Sequence, residues 1–281
     1  MNNPVWLEAA INGAAGRGLQ PRIPVSVAEI VDDAVRCAEA GAAIIHLHAY
    51  DEKGAPVEDA DIYARIIEGV RGRCNAIVYP TLALKGGREA RLAPIKALTR
   101  RGLMEWGVVD PGSVNITHRM QAAAGLDGVH YQNPDDHIRD LLKHAARDGW
   151  RPAYAIYEPG FARLGAALAA ATPGLKSPVY RVMFSDNLLF GMLPSRRGLD
   201  FYAAHLDETA PGAPRMLSGL DADLSALIEP ALALGFHIRV GLEDAPFGTD
   251  RSNAELVAGA VRTIERAGFA IAAPAQVRAA P

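Results

Sequence analysis

The chain has 281 residues, 49% hydrophobic and 22% charged, with a formal net charge of −3 and both signs interspersed. That balance gives no support to a nucleic-acid or polyanion partner, and no apolar run approaches the roughly 18 residues that a membrane span needs. The start, "MNNPVWLEAA", has no basic stretch leading into an apolar one, so no secretory signal is expected, and the two isolated cysteines, Cys37 and Cys74, cannot make a disulfide framework or a cysteine-based zinc site and fit a reducing cytoplasm.

The first predicted strand is Val5–Ile11, running into "INGAAGRG", which only loosely resembles a glycine-rich turn. A helix follows over 26–40, where Val27, Ile30, Val31, Ala34 and Cys37 recur at helical spacing. Ser26 with Glu29 forms a capping-box start, and Gly41 is a natural stop. Further strands are expected at Ala43–His48, Ala76–Thr81, Glu105–Asp110, Pro152–Tyr157, Val179–Phe184, Arg215–Ser218 and Phe236–Leu242, with amphipathic stretches between them. The last helix, 253–267, aligns Leu256, Val257, Val261 and Ile264 on one face. Eight such units in one uninterrupted chain imply a single-domain (β/α)₈ TIM barrel rather than an open sheet. The polar and glycine-rich segments support this, because they cluster just past the strand ends, as in "HLHAYD", "VVDPGSVN", "FSDN" and "GLEDAPFG". A barrel builds its active site on that rim.

The second strand ends in an unusual way. Residues two apart on a strand share a face, so His46 and His48 point together, about 6–7 Å apart along the backbone, with room for a metal ion between them. The alternative is two hydrogen-bonded histidines lining a polar mouth. In the last strand, "FHIRVGLED", the residues His237, Arg239, Gly241 and Glu243 alternate toward one face, and Asp244 follows at the exit. Gly241 is expected to open space at the mouth by removing a side chain. Glu243 could complete a two-histidine, one-carboxylate site with positions left open, as catalytic zinc requires. The competing account pairs Arg239 with Glu243 or Asp244 as a buried salt bridge, which leaves one carboxylate without a partner. Thr81 and Asp110 end neighbouring strands, and Glu158, Asp186 and Asn187 are ambiguous rim residues. His118, His130, His137, His144 and His205 read as surface or capping residues.

These motifs, together with "AAINGA", "EAGAAIIHLHAYD", "RLAPI", "DPGSVN", "HIRVGLED", "SNAELV" and "AAPAQVRA" in order along essentially the whole chain, resemble the β-keto acid cleavage enzymes, the family of 3-keto-5-aminohexanoate cleavage enzyme. The resemblance implies zinc, or another divalent ion, held by His46, His48 and Glu243, and a homo-oligomer, often a tetramer. It implies condensation of a β-keto acid with acetyl-CoA to give acetoacetate and a CoA ester. By the same resemblance Asp244 is the base that removes the α-proton, Arg239 assists it, and Thr81 and Asp110 contact the keto acid end of the substrate.

The chain departs from the pattern where an amino substrate would be bound. Ala15 stands where an acid follows the first-strand "GA", and Ala153 and Ala155 stand in the fifth strand where another would be. An ammonium buried there would be unpaired, at a cost of several kcal/mol, so a neutral, apolar or anionic β-keto acid is expected instead. Arg17, near the first-strand rim, could favour an anionic tail. Tyr50 replaces an arginine, Val108 replaces a hydroxyl residue, and "PTLALKGG" alters the third-strand exit. Two other readings compete: a metal-dependent hydrolase of the amidohydrolase kind, which normally carries H-x-H on its first strand, and a non-catalytic binding protein with a structural metal.

Overall fold

The computed structural model describes residues 3–281. Eight parallel strands lie in one sheet: β1 (Leu7–Ala10), β2 (Ile44–Leu47), β3 (Ile77–Pro80), β4 (Trp106–Val108), β7 (Arg151–Ile156), β8 (Val179–Phe184), β9 (Arg215–Gly219) and β10 (His237–Val240). A two-stranded hairpin, β5 (Val114–Ile116) and β6 (Val129–Tyr131), stands apart from it. The helices are α1 (Val27–Glu39), α2 (Ala60–Arg71), α3 (Arg88–Arg100), α4 (Arg119–Ala123), α5 (Asp135–Asp148), α6 (Pro159–Ala170), α7 (Arg196–Thr209), α8 (Ile228–Ala233), α9 (Asn253–Arg266) and α10 (Pro274–Ala279).

The sheet order is β3-β2-β1-β10-β9-β8-β7-β4, so the first and last strands of the chain's series are neighbours and the sheet curls into a barrel. Its seam falls between β3 and β4, which are bridged by side chains: the rings of Tyr79 and Trp106 lie 5.8 Å apart. Most strands are buried on both faces, the pattern of a parallel sheet covered by helices. The expected barrel and all eight expected strands are present.

Helix starts follow the sequence. At α1 the Ser26 hydroxyl accepts from the Glu29 amide while Glu29 accepts from the Ser26 amide. The buried face of this helix is Ile30, Val31, Ala34, Val35 and Cys37. At α9 Ser252 and Glu255 repeat the same arrangement.

The barrel interior is layered. At the amino-terminal end Trp6, Trp106 and Arg151 close the floor, with the Arg151 guanidinium 5.6 Å from the Trp6 ring and 6.0 Å from the Trp106 ring. Its nitrogens donate to the carbonyls of Ser177, Ala280 and Pro281, so this cation ties the chain terminus to the barrel floor. His237 belongs to this end too, stacked 4.2 Å from Trp6. Above the floor, the register pairs Glu8 with Arg239, His46 with Tyr79, and Ala155 with Arg181. That middle layer is therefore polar, in the place where a barrel usually carries Val, Ile or Leu. The cavity lined by His46, His48 and Glu243 lies toward the carboxyl ends of the strands.

Two expectations need correction. The segment "DPGSVN" is not only a turn, since Val114–Ile116 is a strand whose partner is Val129–Tyr131, with α4 folded between them. These short, half-exposed stretches carry too few apolar positions to stand out in a sequence. The eighth strand ends at Val240 rather than Leu242, and Glu243 lies in the turn beyond it, so its approach to Arg239 comes from the turn and not from strand alternation.

Candidate active site

His46 and His48 emerge from the end of β2 with ring centroids 5.4 Å apart. The backbone of His48 is clamped by the buried Asn12 side chain, which accepts from the His48 amide at 2.8 Å and donates to its carbonyl at 2.9 Å. Glu243 reaches the pair from the turn after β10. Gly13 makes room for it: the backbone there has φ of 62°, and a Cβ would stand 2.7 Å from Glu243 Cγ. Tyr50 donates to the Gly13 carbonyl at 2.6 Å, fixing that loop in the place where the family pattern has an arginine.

One potential ligand atom from each of His46, His48 and Glu243 lies within 4.8 Å of the other two. His46 Nε2 is 3.5 Å and His48 Nε2 3.6 Å from the Glu243 carboxylate. These spacings are long for hydrogen bonds. They suit ligands sharing one cation, since tetrahedral bonds of about 2.0–2.2 Å place neighbouring ligand atoms about 3.3–3.6 Å apart. His46 Nδ1, His48 Nε2 and Glu243 Oε2 are buried and have no hydrogen-bond partner. Unsatisfied buried polar atoms are expensive, and His48 Nε2 and Glu243 Oε2, which face this cluster, call for a partner of another kind. Burial pushes the His46 imidazole well below its usual range, which keeps it neutral with a lone pair available. Burial opposes ionisation of Glu243, but Arg239 and both imidazoles outweigh it and hold the carboxyl well below the usual carboxylate range. The residues present fit a divalent metal.

Arg239 occupies the centre. Its Nε donates to both Asp244 oxygens at 2.9 and 3.0 Å, and its Nη2 donates to Asp244 Oδ1 at 2.7 Å. The same Nη2 is 3.1 Å from Glu243, and Nη1 is 3.3 Å from Glu8. Asp244 also accepts from the Gly219 amide at 3.0 Å, and burial, stronger than the opposing pull of Arg239, raises its carboxyl to about 6. Thus Arg239 does pair with both acids, as the salt-bridge account required, and Glu243 also faces the two histidines.

Gly241 acts differently from the expectation. Its φ is 144°, and a Cβ there would meet the Ala10 carbonyl oxygen at 2.1 Å. The glycine permits close packing of the turn on β1, rather than opening the mouth, and Glu243 N then donates to that same Ala10 carbonyl at 3.1 Å.

Thr81 and Asp110 both line the cavity that holds His46, His48 and Glu243, a space of about 540 Å³. Asp110 is heavily engaged: it accepts from Tyr131 Oη at 2.7 Å and from the Ala155 amide at 2.8 Å, and lies 3.8 Å from Arg181. Ala15 and Ala155 line the cavity as well, whereas Ala153 lies deeper and its carbonyl accepts from Arg181 at 3.2 Å. Arg17 is not in the cavity wall; its guanidinium is 2.9 Å from Glu29 and donates to the Ile23 carbonyl. Glu158, Asp186 and Asn187 bond within the rim loops, to the Gly191 amide, the Asp223 amide and the Asp221 carboxylate. His118 caps α4 as expected, and also lines the cavity.

Three residues of the site escaped the sequence reading. Glu8 is fully buried and accepts from Tyr79 Oη at 2.7 Å. Arg181 donates to the same Tyr79 oxygen at 3.1 Å. The available signal was a charge inside an apolar strand, in "WLEAA" and "VYRVMF", which burial tolerates only with a partner. Asn12 gave no such signal.

The sequence profile of the beta-keto acid cleavage enzymes matches residues 4–280. The chain is 28% identical to the 3-oxoadipate:acetyl-CoA acetyltransferase of Cupriavidus necator, over 99% of this chain and 95% of that protein. It is 27% identical to the 3-keto-5-aminohexanoate cleavage enzyme of Fusobacterium nucleatum, over 99% and 97%. It is 26% identical to the 3,5-dioxohexanoate:acetyl-CoA acetone transferase of Paraburkholderia graminis, over 92% and 89%. Among solved structures, ObcA in complex with oxaloacetate superposes with a TM-score of 0.73 at 20% identity, covering 92% of this chain and 66% of that one, a likeness of fold. With the motifs of β1, β2 and β10 meeting at one site and the family profile spanning nearly every residue, the chain belongs to the β-keto acid cleavage enzyme family.

Proposed function

We propose that this protein condenses a β-keto acid with acetyl-CoA, yielding acetoacetate and the CoA ester of the shortened acid, with His46, His48 and Glu243 holding a zinc ion. The observation that carries this reading is the convergence of one ligand atom from each of His46, His48 and Glu243 within 4.8 Å, next to Arg239, which holds Asp244, a carboxylate outside the ligand set. When bound, the ion supplies a Lewis acid for a substrate whose two oxygens stand in a 1,3 relationship.

Asp244 takes the proton between the two carbonyls of the β-keto acid. Its raised pKa suits a base that must collect a proton and release it again. The bidentate grip of Arg239 aims the carboxylate, and Gly219 N fixes its second oxygen. The carbanion attacks the thioester carbonyl of acetyl-CoA, forming a carbon–carbon bond and expelling the CoA thiolate. The thiolate then adds to the original keto carbon, whose bond to the α-carbon breaks. Acetoacetate leaves as the carbanion and recovers its proton from Asp244. Thr81, which lines the same cavity, contacts the keto acid end; Asp110 contributes by holding Tyr131, Ala155 and Arg181 in place.

Ala15 and Ala155 put no carboxylate at the two wall positions where one would meet an ammonium, so the amino substrate is not preferred. The unpaired thiols Cys37 and Cys74 support a cytoplasmic setting, and the exposed Leu189, Leu193 and Phe201 support a homo-oligomer. The hydrolase alternative loses its basis, since the last strand's His237 is stacked on Trp6 at the opposite end of the barrel.

The test is acetoacetate release from acetyl-CoA and a panel of β-keto acids, with metal analysis of the same sample. Asp244→Asn should keep its zinc and lose about 10²- to 10⁴-fold in kcat. His46→Ala should lose the zinc. Undiminished turnover after exhaustive chelation would sink the proposal.

A further inference from the structure

We propose that the acid this enzyme cleaves carries an uncharged aliphatic tail of medium length, seated against the wall formed by β4, β5, β7 and β8. This inference rests on the β-keto acid reaction proposed above and concerns the far end of the substrate.

The wall is made of Val108, Ile116, Ala155, Met183, Leu188 and Leu220. Val108, Ala155 and Met183 are buried strand residues at the inner end of the cavity. At the outer end stand Leu19, Leu84, Met120 and Val129, all exposed and all lining the same mouth. Large apolar side chains left in water around a cavity mark a place where apolar surface is covered on binding. The open collar is the approach for the CoA arm, and the enclosed wall is left for the acyl tail.

Charge accounting weighs against the other tails. Arg239 is paired with Asp244, Glu243 and Glu8, while Arg181 bonds to Tyr79 Oη and the Ala153 carbonyl and faces Asp110 and Glu8 at 3.8 and 4.0 Å. Each guanidinium already faces carboxylates of the protein, with which a second one would compete. Two carboxylates stand in the cavity wall: Asp110, which accepts from Tyr131 and the Ala155 amide, and Glu243, which faces Arg239 and the histidine pair, so each already has its own partners. His118 Nδ1 accepts from the Met120 amide, and its Nε2 faces Asp221 at 3.9 Å. With a dication present the inner cluster is neutral, four negative charges against two guanidiniums and the ion. A charged tail would enter the wall without a partner.

The experiment runs the reaction in the return direction, with acetoacetate and a series of stable CoA esters, following acetyl-CoA formation by purified zinc-loaded enzyme. From butyryl-CoA through hexanoyl-CoA to octanoyl-CoA, kcat/KM should rise about three- to fourfold per added methylene, as burial of each CH₂ requires. Succinyl-CoA and 3-aminobutyryl-CoA should fall about a hundredfold or more below hexanoyl-CoA. Ala155→Glu should raise the ratio of 3-aminobutyryl-CoA to hexanoyl-CoA turnover at least about tenfold. Ala15→Glu, at a half-exposed rim position, tests the same reversal without burdening the core. A flat response to chain length, or a preference for either charged ester, overturns the inference while leaving the reaction intact. Failure of every ester in the series overturns the reaction itself and the inference with it.

Discussion

Glu8 shows how much of this site is organised by residues that never face solvent. Its carboxylate is fully buried, bonded to Tyr79 and shared between Arg239 and Arg181, and removing one partner from such a cluster strands the others. Glu8→Gln should lower kcat about tenfold or more, with zinc content unchanged by metal analysis, because Arg239 loses one of the acids that set its position while the ligands are untouched. Individual residues differed in how plainly they could be read. His46 and His48 were legible because the two-residue period of a strand puts them on one face whatever the fold. Glu243 and Asp244 were legible as acids at a strand exit. Glu8 and Arg181 were not assigned, since each lies in a different strand, separated by over 170 residues, and only the barrel brings them within 4.0 Å.

At the scale of elements, the turn after β10 is the sharpest constraint. Gly241 combines a φ of 144° with a Cβ position 2.1 Å from the Ala10 carbonyl, and its own carbonyl accepts from the Asp244 and Ala245 amides. Gly241→Ala should therefore cost about 3 kcal/mol or more, lowering Tm by about 5–10 °C in a thermal melt and reducing zinc occupancy, because Glu243 and Asp244 move with the turn. Gly248→Ala is the control: its φ is 77° but its Cβ would meet open space, so only the backbone strain of about 1 kcal/mol remains. The strands and the first helix announced themselves through apolar runs and the Ser26–Glu29 pair. The β5–β6 hairpin did not, because only Tyr131 of its strand residues is buried and its place is set by tertiary contacts such as the bridge between His118 and Leu188.

For the whole molecule, the metal should act as a staple between the two ends of the chain. His46 and His48 belong to the second strand and Glu243 follows the last, so an ion bound only by the folded state stabilises the closure of the barrel. At a thousandfold excess over its dissociation constant such a ligand contributes about 4 kcal/mol, which corresponds to about 8–16 °C in Tm for a chain of this size. Chelation should lower Tm by that order in differential scanning fluorimetry, zinc should restore it, and His48→Ala should abolish the difference. By itself the sequence determined the alternation that makes a barrel, the histidine pair and the acids of the last strand exit, because strand periodicity and helix capping are local. Tertiary structure alone decided that Arg239 serves three carboxylates at once, that Arg17 turns away to Glu29, and that the wall around Ala155 is apolar. Those outcomes depend on which side chains from distant strands share one low-dielectric interior, and there the energy of each charge is set by its neighbours in space.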